Sequence, residues 1–124
     1  MDDRMTTGRR GEQLAAEHLA GLGCELLERN WRCRDGEIDL VVRDGRDLVC
    51  VEVRTRRSLR RGHPLESLTP AKVARMRRVA RQWRAANPAL AGRLRVDAIA
   101  IVLDGGAPPE LVHLRGLGDE GAVR

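Results

Sequence analysis

Apolar and polar positions follow two different periods along the chain. Over residues 8–22, Leu14, Ala15, His18, Leu19 and Leu22 recur at spacings of three and four, which predicts a helix. Thr6 and Thr7 are its N-cap candidates, and Gly21 and Gly23 end it. Residues 24–29 predict a short strand. Residues 37–43 and 46–54 switch to alternation and predict two strands joined by Asp44-Gly45, a strong hairpin signal. Residues 55–68 form an Arg-rich loop. Thr69-Pro70 then supplies an N-cap and a first helical residue. Val73, Met76, Val79, Ala80 and Trp83 mark the inward side of that helix, which Asn87-Pro88 stops after about Ala86. Residues 94–103 and 111–114 predict two further strands. The order predicts an α/β fold, a small mixed sheet flanked by helices.

The hairpin arithmetic places the first candidate chemistry. A turn made of Asp44-Gly45 pairs Arg43 with Arg46, so that Asp39 faces Cys50, Val41 faces Leu48 and Glu37 faces Glu52. Glu37, Asp39, Cys50, Glu52 and Arg54 then share one face of the sheet, and Ile38, Leu40, Val42, Val49, Val51 and Val53 share the other. Asp39 and Glu52 become diagonal neighbours, about 7–8 Å apart at Cα, so their carboxylates can converge on one cation. Mg²⁺ takes one or two carboxylates together with waters and phosphate oxygens, the chemistry of metal-assisted phosphodiester hydrolysis. The competing reading is a surface ion-pair ladder without metal, since Arg54 follows Glu52 on the same face and lies near Asp35 across the hairpin. Glu12 borders the buried stripe of the first helix and can point toward the sheet.

Composition narrows the partner. The 124 residues suit one domain, expected at 1–116 with a frayed tail at 117–124. Aromatic residues are 2% of the chain, Trp31 and Trp83, which removes any stacking platform for single-stranded bases. The net charge of +5 favours a polyanion. Of 23 basic residues only Lys72 is lysine. Arg54, Arg56, Arg57, Arg60 and Arg61 crowd one loop, a run that self-repels without an anion among its members. Lys72, Arg75, Arg78 and Arg81 line one side of the second helix, and Arg9 and Arg10 precede Glu12. Three basic segments around one acidic site are what a phosphate backbone needs. Cys24, Cys33 and Cys50 match no zinc spacing and read as unpaired thiols of a reducing compartment. No apolar run reaches membrane-spanning length and the first residues are polar, so the expectation is a cytoplasmic protein with no membrane partner.

Gly11-Glu12, Asn30, Gly36-Glu37-Ile38-Asp39-Leu40, Val51-Glu52-Val53-Arg54-Thr55-Arg56, Lys72 and Arg95-Val96-Asp97 occur in this order. The set resembles the YraN family of bacterial proteins over roughly residues 8–115. That family is similar to archaeal Holliday junction resolvases within the PD-(D/E)xK nuclease superfamily. The resemblance implies a restriction-endonuclease-like core and Mg²⁺ or Mn²⁺ as cofactor. Glu12, Asp39, Glu52 and Arg54 would be the catalytic residues, Asp39 and Glu52 the metal ligands, and Glu37 an auxiliary acid. Arg9, Arg10, Arg56, Arg57, Arg60, Arg61, Lys72 and Arg75 would carry nucleic-acid binding, with DNA the expected partner. The resemblance also implies a homodimer, since two symmetric cuts need two sites. Arg54 departs from the superfamily's lysine: it keeps the positive charge but does not deprotonate near neutrality. Three readings stay open at this point. One is a metal-dependent endonuclease acting on branched DNA, another a non-catalytic nucleic-acid-binding protein of the same fold, and the third a subunit whose basic loop docks an acidic protein. Asp97 has outward parity with Arg95 and reads as an ion-pair or sheet-edge residue.

Overall fold

The structure, a computed structural model, describes residues 3–118. Helix α1 spans Asp3–Gly21 and is followed by strands β1 (Glu25–Cys33), β2 (Gly36–Asp44) and β3 (Asp47–Arg56). After a short 3-10 turn, Pro64–Ser67, come α2 (Pro70–Ala86), β4 (Arg93–Val102) and β5 (Glu110–Leu114). The five strands form one sheet in sequence order. All neighbours are antiparallel except β3 and β4, which run parallel because α2 is the crossover between them. α1 starts earlier than the apolar stripe indicates, and Thr6 and Thr7 lie inside it rather than at its cap. The start of α2 is as read: Thr69 Oγ1 accepts from the Lys72 N–H at 3.2 Å, and Pro70 takes the first turn, where its missing N–H removes no helical bond.

Both faces of the sheet are covered, each by one helix. On one face Ala15 and Leu19 of α1 pack with Leu40, Val42, Val49, Val51, Ile99 and Ile101. On the other, Val79, Ala80 and Trp83 of α2 pack with Ile38, Val41, Leu48, Cys50 and Val96. The division into two faces therefore follows the sequence pattern, except that Ile38 joins the α2 side while Leu40 stays with α1. The alternation breaks at Asp39, between them.

The hairpin register corrects the sequence reading by two residues. Gly45 and Arg46 form the turn, with Gly45 at a left-handed φ of 61°, and Asp44 pairs with Asp47. Cys50 faces Val41, and Leu48 faces Arg43. This register sets two aspartates opposite each other, an arrangement strand pairing disfavours. Arg95 of β4 makes it tenable: its guanidinium reaches Asp44 Oδ2 and Asp47 Oδ2, each at 2.9 Å.

The chain past Gly116 is anchored where it was expected to fray. The Leu117 N–H donates to the Val96 carbonyl at 2.8 Å, and Arg77 donates to the Gly118 carbonyl. The rest of the expected tail, 119–124, lies outside the described residues.

Candidate functional site

The β2–β3 ladder ends at Leu40↔Val51, while β2 continues along β1 and β3 along β4. Asp39 and Glu52 stand one step beyond that last pair, at the fork. The Val53 N–H, left without a strand partner, donates to Asp39 Oδ2 at 2.8 Å, so the side chain caps the opened ladder. The carboxyl groups of Asp39 and Glu52 lie close enough to share a hydrogen bond, with protonated Glu52 the donor and Asp39 the acceptor. The corrected register thus brings the two acids into direct contact, closer than the diagonal placement expected from sequence.

Asp39 is 8% exposed. Desolvation raises its pKa, against the Val53 N–H and the bond to Glu52, which lower it. Desolvation also pushes Glu52 up, to about 7, reinforced by the charge of Asp39 and the shared hydrogen bond. Both shifts describe two carboxyl groups too poorly solvated and too close to be ionised together without a cation. Arg54 offsets this in part, with Nη2 3.1 Å from Glu52 Oε2, but its Nε is buried and has no hydrogen-bond partner. Asp35, expected near Arg54, instead meets α2: Arg75 donates to its carbonyl at 2.7 Å, and Gln82 and Arg78 reach its carboxylate.

The fork opens into a cavity of about 560 Å³ lined by Glu37, Glu52, Arg54, Lys72 and Arg75, with Arg32 and Arg34 from the β1–β2 corner. Arg32 and Arg34 carried no role in the sequence reading; their place at the end of a strand pair that abuts the acids was the available signal. Glu37 is ion-paired with Arg32 at 3.2 Å on an exposed edge, a supporting position rather than a place in the fork.

Glu12 approaches from α1. A Cβ at Gly11 would fall onto Thr55 Oγ1 of β3, so glycine there lets the helix lie close enough to deliver the next residue. Desolvation raises the Glu12 pKa, and the charges of Asp39 and Glu37 add to it, while Arg29 and a hydrogen bond from Asn30 oppose it. Glu12, Asn30, Arg9 and Arg32 line a second groove of about 540 Å³.

The remaining basic residues do not converge on one surface. Arg10 and Arg57 line a separate hollow with Asp104, and Arg60 and Arg61 are exposed beyond β3, while Arg56 is half-buried. Among the described residues, no three His, Cys, Asp or Glu side chains are disposed to enclose a metal ion. Two oxygen donors that share one proton nevertheless suit a hard divalent cation, which takes few carboxylates and fills its remaining positions with water.

Asp97 is an ion-pair residue, as the sequence indicates, but it lies inside the sheet rather than at its edge. It is 0% exposed on β4, with β3 and β5 on either side. It accepts from Arg95 Nε and Nη2, from the Gly116 N–H and from His113 Nε2, at 2.8–3.0 Å. His113 Nδ1 in turn lies 3.1 Å from His18 Nε2 of α1.

These features define a mixed α/β domain with a nuclease-like arrangement of sheet and helices, built around a forked acid pair. The family model described as "Uncharacterised protein family UPF0102" matches residues 11–101. Similar proteins include UPF0102 proteins of an Arthrobacter species, 48% identical over 90% of this chain and 94% of its own length, and of Beutenbergia cavernae, 49% identical over 90% and 94%. A third, from Frankia casuarinae, is 46% identical over 88% of this chain and 92% of its own length. The chain belongs to the UPF0102 (YraN) family. No helix among the described residues is long and apolar enough to cross a membrane.

Proposed function

We propose that the protein is a divalent-metal-dependent endonuclease acting on structured or branched DNA. The single observation that supports this most is the Asp39–Glu52 contact: two carboxyl groups at a strand fork, both held up by desolvation, beside an arginine with an unused donor. Asp39 and Glu52 would hold Mg²⁺ or Mn²⁺. Such an ion lowers the pKa of bound water and neutralises charge developing on a phosphoryl oxygen.

The chain's own groups do the rest. Arg54 lines the cavity, offers its guanidinium to a phosphate oxygen there and stays charged throughout the reaction. Lys72 and Arg75 line the same cavity and favour the phosphate backbone leading into it. The near absence of aromatic residues directs recognition to backbone and shape rather than to unstacked bases. Branched DNA as substrate rests on the likeness to junction resolvases.

One contact favours a second reading, a nucleic-acid-binding protein that does not cut: Arg54 is paired with Glu52 where a proton-transferring lysine would stand. The test is cleavage of four-way junction, flap and duplex DNA with Mg²⁺ or Mn²⁺, beside D39N. Metal-dependent cutting lost in D39N is the expected result. Tight binding without cutting supports the second reading, and cutting that survives in D39N overturns the site assignment.

A further inference from the structure

Asn30 has a backbone unlike that of any other non-glycine residue among those described: its φ is 53°, in the left-handed region, in the middle of strand β1. Asparagine enters this region more readily than most side chains, yet a strand has no use for it. The usual structural reason, a bulge, is absent here. Arg29 pairs with Leu40 and Trp31 with Ile38, so the β1–β2 register is regular on both sides. The register irregularity of this ladder lies elsewhere, between Leu26 and Glu28. β1 is also an edge strand, so no further strand imposes the twist.

The position of Asn30 offers another reason. The regular pairing on either side sets it opposite Asp39. Its side-chain amide donates to the carboxylate of Glu12 on α1, and the two residues line the same groove with Arg9 and Arg32. A half-buried glutamate at the border of a helix face would ordinarily turn outward to water. Here it is kept facing two other acids, Asp39 and Glu37, an orientation that charge repulsion opposes. Strained backbone sustained at a chemical centre indicates a constraint that acts on the site rather than on the fold.

We propose that Asn30 is a positioning residue: its left-handed backbone and side-chain amide hold the Glu12 carboxylate on the α1 side of the acidic fork, where it adds to the negative field around Asp39. This role rests on the nuclease reading only for its consequence, not for the contact itself.

Two substitutions separate the role from a merely structural one. Glycine adopts the left-handed region freely, so N30G keeps the backbone and removes only the amide. Its melting temperature is expected to equal or exceed that of the wild type, while Mn²⁺ affinity by calorimetry and junction cleavage fall roughly 10–100-fold, as for partners that orient a metal site. N30D keeps the tolerance of this backbone but replaces the donor with a third repelling acid, and the loss should be at least as large. The contact is read without metal from the Asn30 side-chain amide signals in ¹H–¹⁵N spectra, which should move in E12Q. Unchanged Mn²⁺ affinity and cleavage in N30G, or Asn30 amide signals indifferent to E12Q, would overturn the proposal. If the wild type neither takes up Mn²⁺ nor cuts, yet E12Q moves those signals, the positioning contact stands and the nuclease reading falls.

Discussion

Asp97 and Asp39 are both aspartates on inner strands of one sheet, shielded from water at 0% and 8% exposure. Their partners differ. Desolvation works against the charge on Asp97 as well, but hydrogen bonds from His113, Arg95 and the Gly116 N–H overcome it and hold its carboxyl below the usual range. Asp39 receives one backbone N–H and lies among the acids Glu52 and Glu37 with Arg54 as its charged counterweight, and its pKa is raised chiefly by desolvation. An acid surrounded by donors is a structural joint, tying β4 to the hairpin turn, β5 and the C-terminal segment. An acid set against other acids destabilises the fold, a cost that a bound cation would offset under the proposed function.

The sharpest way to break this comparison is D97N. It leaves the Arg95 guanidinium and His113 facing a neutral amide in a dry site. Stability should fall by about 3–5 kcal/mol, read from urea denaturation. Because the Asp97 pKa is lowered, its contribution is present above its unfolded value of 3.8 and is lost as pH falls below that.

E52Q should do the opposite. Native Glu52 keeps its proton up to about 7, whereas the unfolded chain releases it near 4.5, so stability falls as pH rises across that window. E52Q removes this loss and should be more stable than the metal-free wild type at pH 8, by roughly 3 kcal/mol. Mg²⁺ or Mn²⁺ should raise the wild-type melting temperature at pH 8 more than at pH 5, and should not raise that of E52Q. Equal shifts at both pH values would show that no ion meets these carboxylates.

G11A sharpens the comparison, since it pushes α1 off β3 without altering an acid. Overpacking against Thr55 should cost about 1–3 kcal/mol, and ion affinity should drop with it as Glu12 withdraws. R57A/R60A/R61A should have the smallest effect on stability, within about 0.5 kcal/mol for each substitution. It should weaken DNA binding and reduce the salt slope by about 0.9 for each arginine that meets a phosphate.

The elements and faces of the fold were legible because burial leaves a period in the sequence: three and four for α1 and α2, two for β2 and β3. The hairpin register was not, for a definite reason. A slip by one residue exchanges the faces, but a slip by two leaves every apolar residue on its own side. The hydrophobic pattern fixes parity and nothing finer, and the choice fell to Arg95, a residue 50 positions downstream of Gly45. Asp97 was legible as the ion-pair partner of Arg95, but its burial was not, because β5 and the segment through Gly116 close over it and neither adjoins it in sequence. The candidate acids were legible as a set; their contact was not. Asn30 was visible as part of a motif, but its significance lies in a backbone angle that no pattern of residue types reports.

The Arg95 clip also bears on how the protein is made. The hairpin leaves the ribosome before β4 exists, and at that stage its two registers bury the same side chains. Only one of them brings Asp39 and Glu52 together. Before β4 joins the sheet, hydrophobic content alone does not choose between them. Once β4 is in place, Arg95 favours the pairing that sets Asp44 against Asp47. A contact at the turn end of the sheet thus helps fix the register at the Asp39–Glu52 end, a constraint that a chain truncated before β4 would lack.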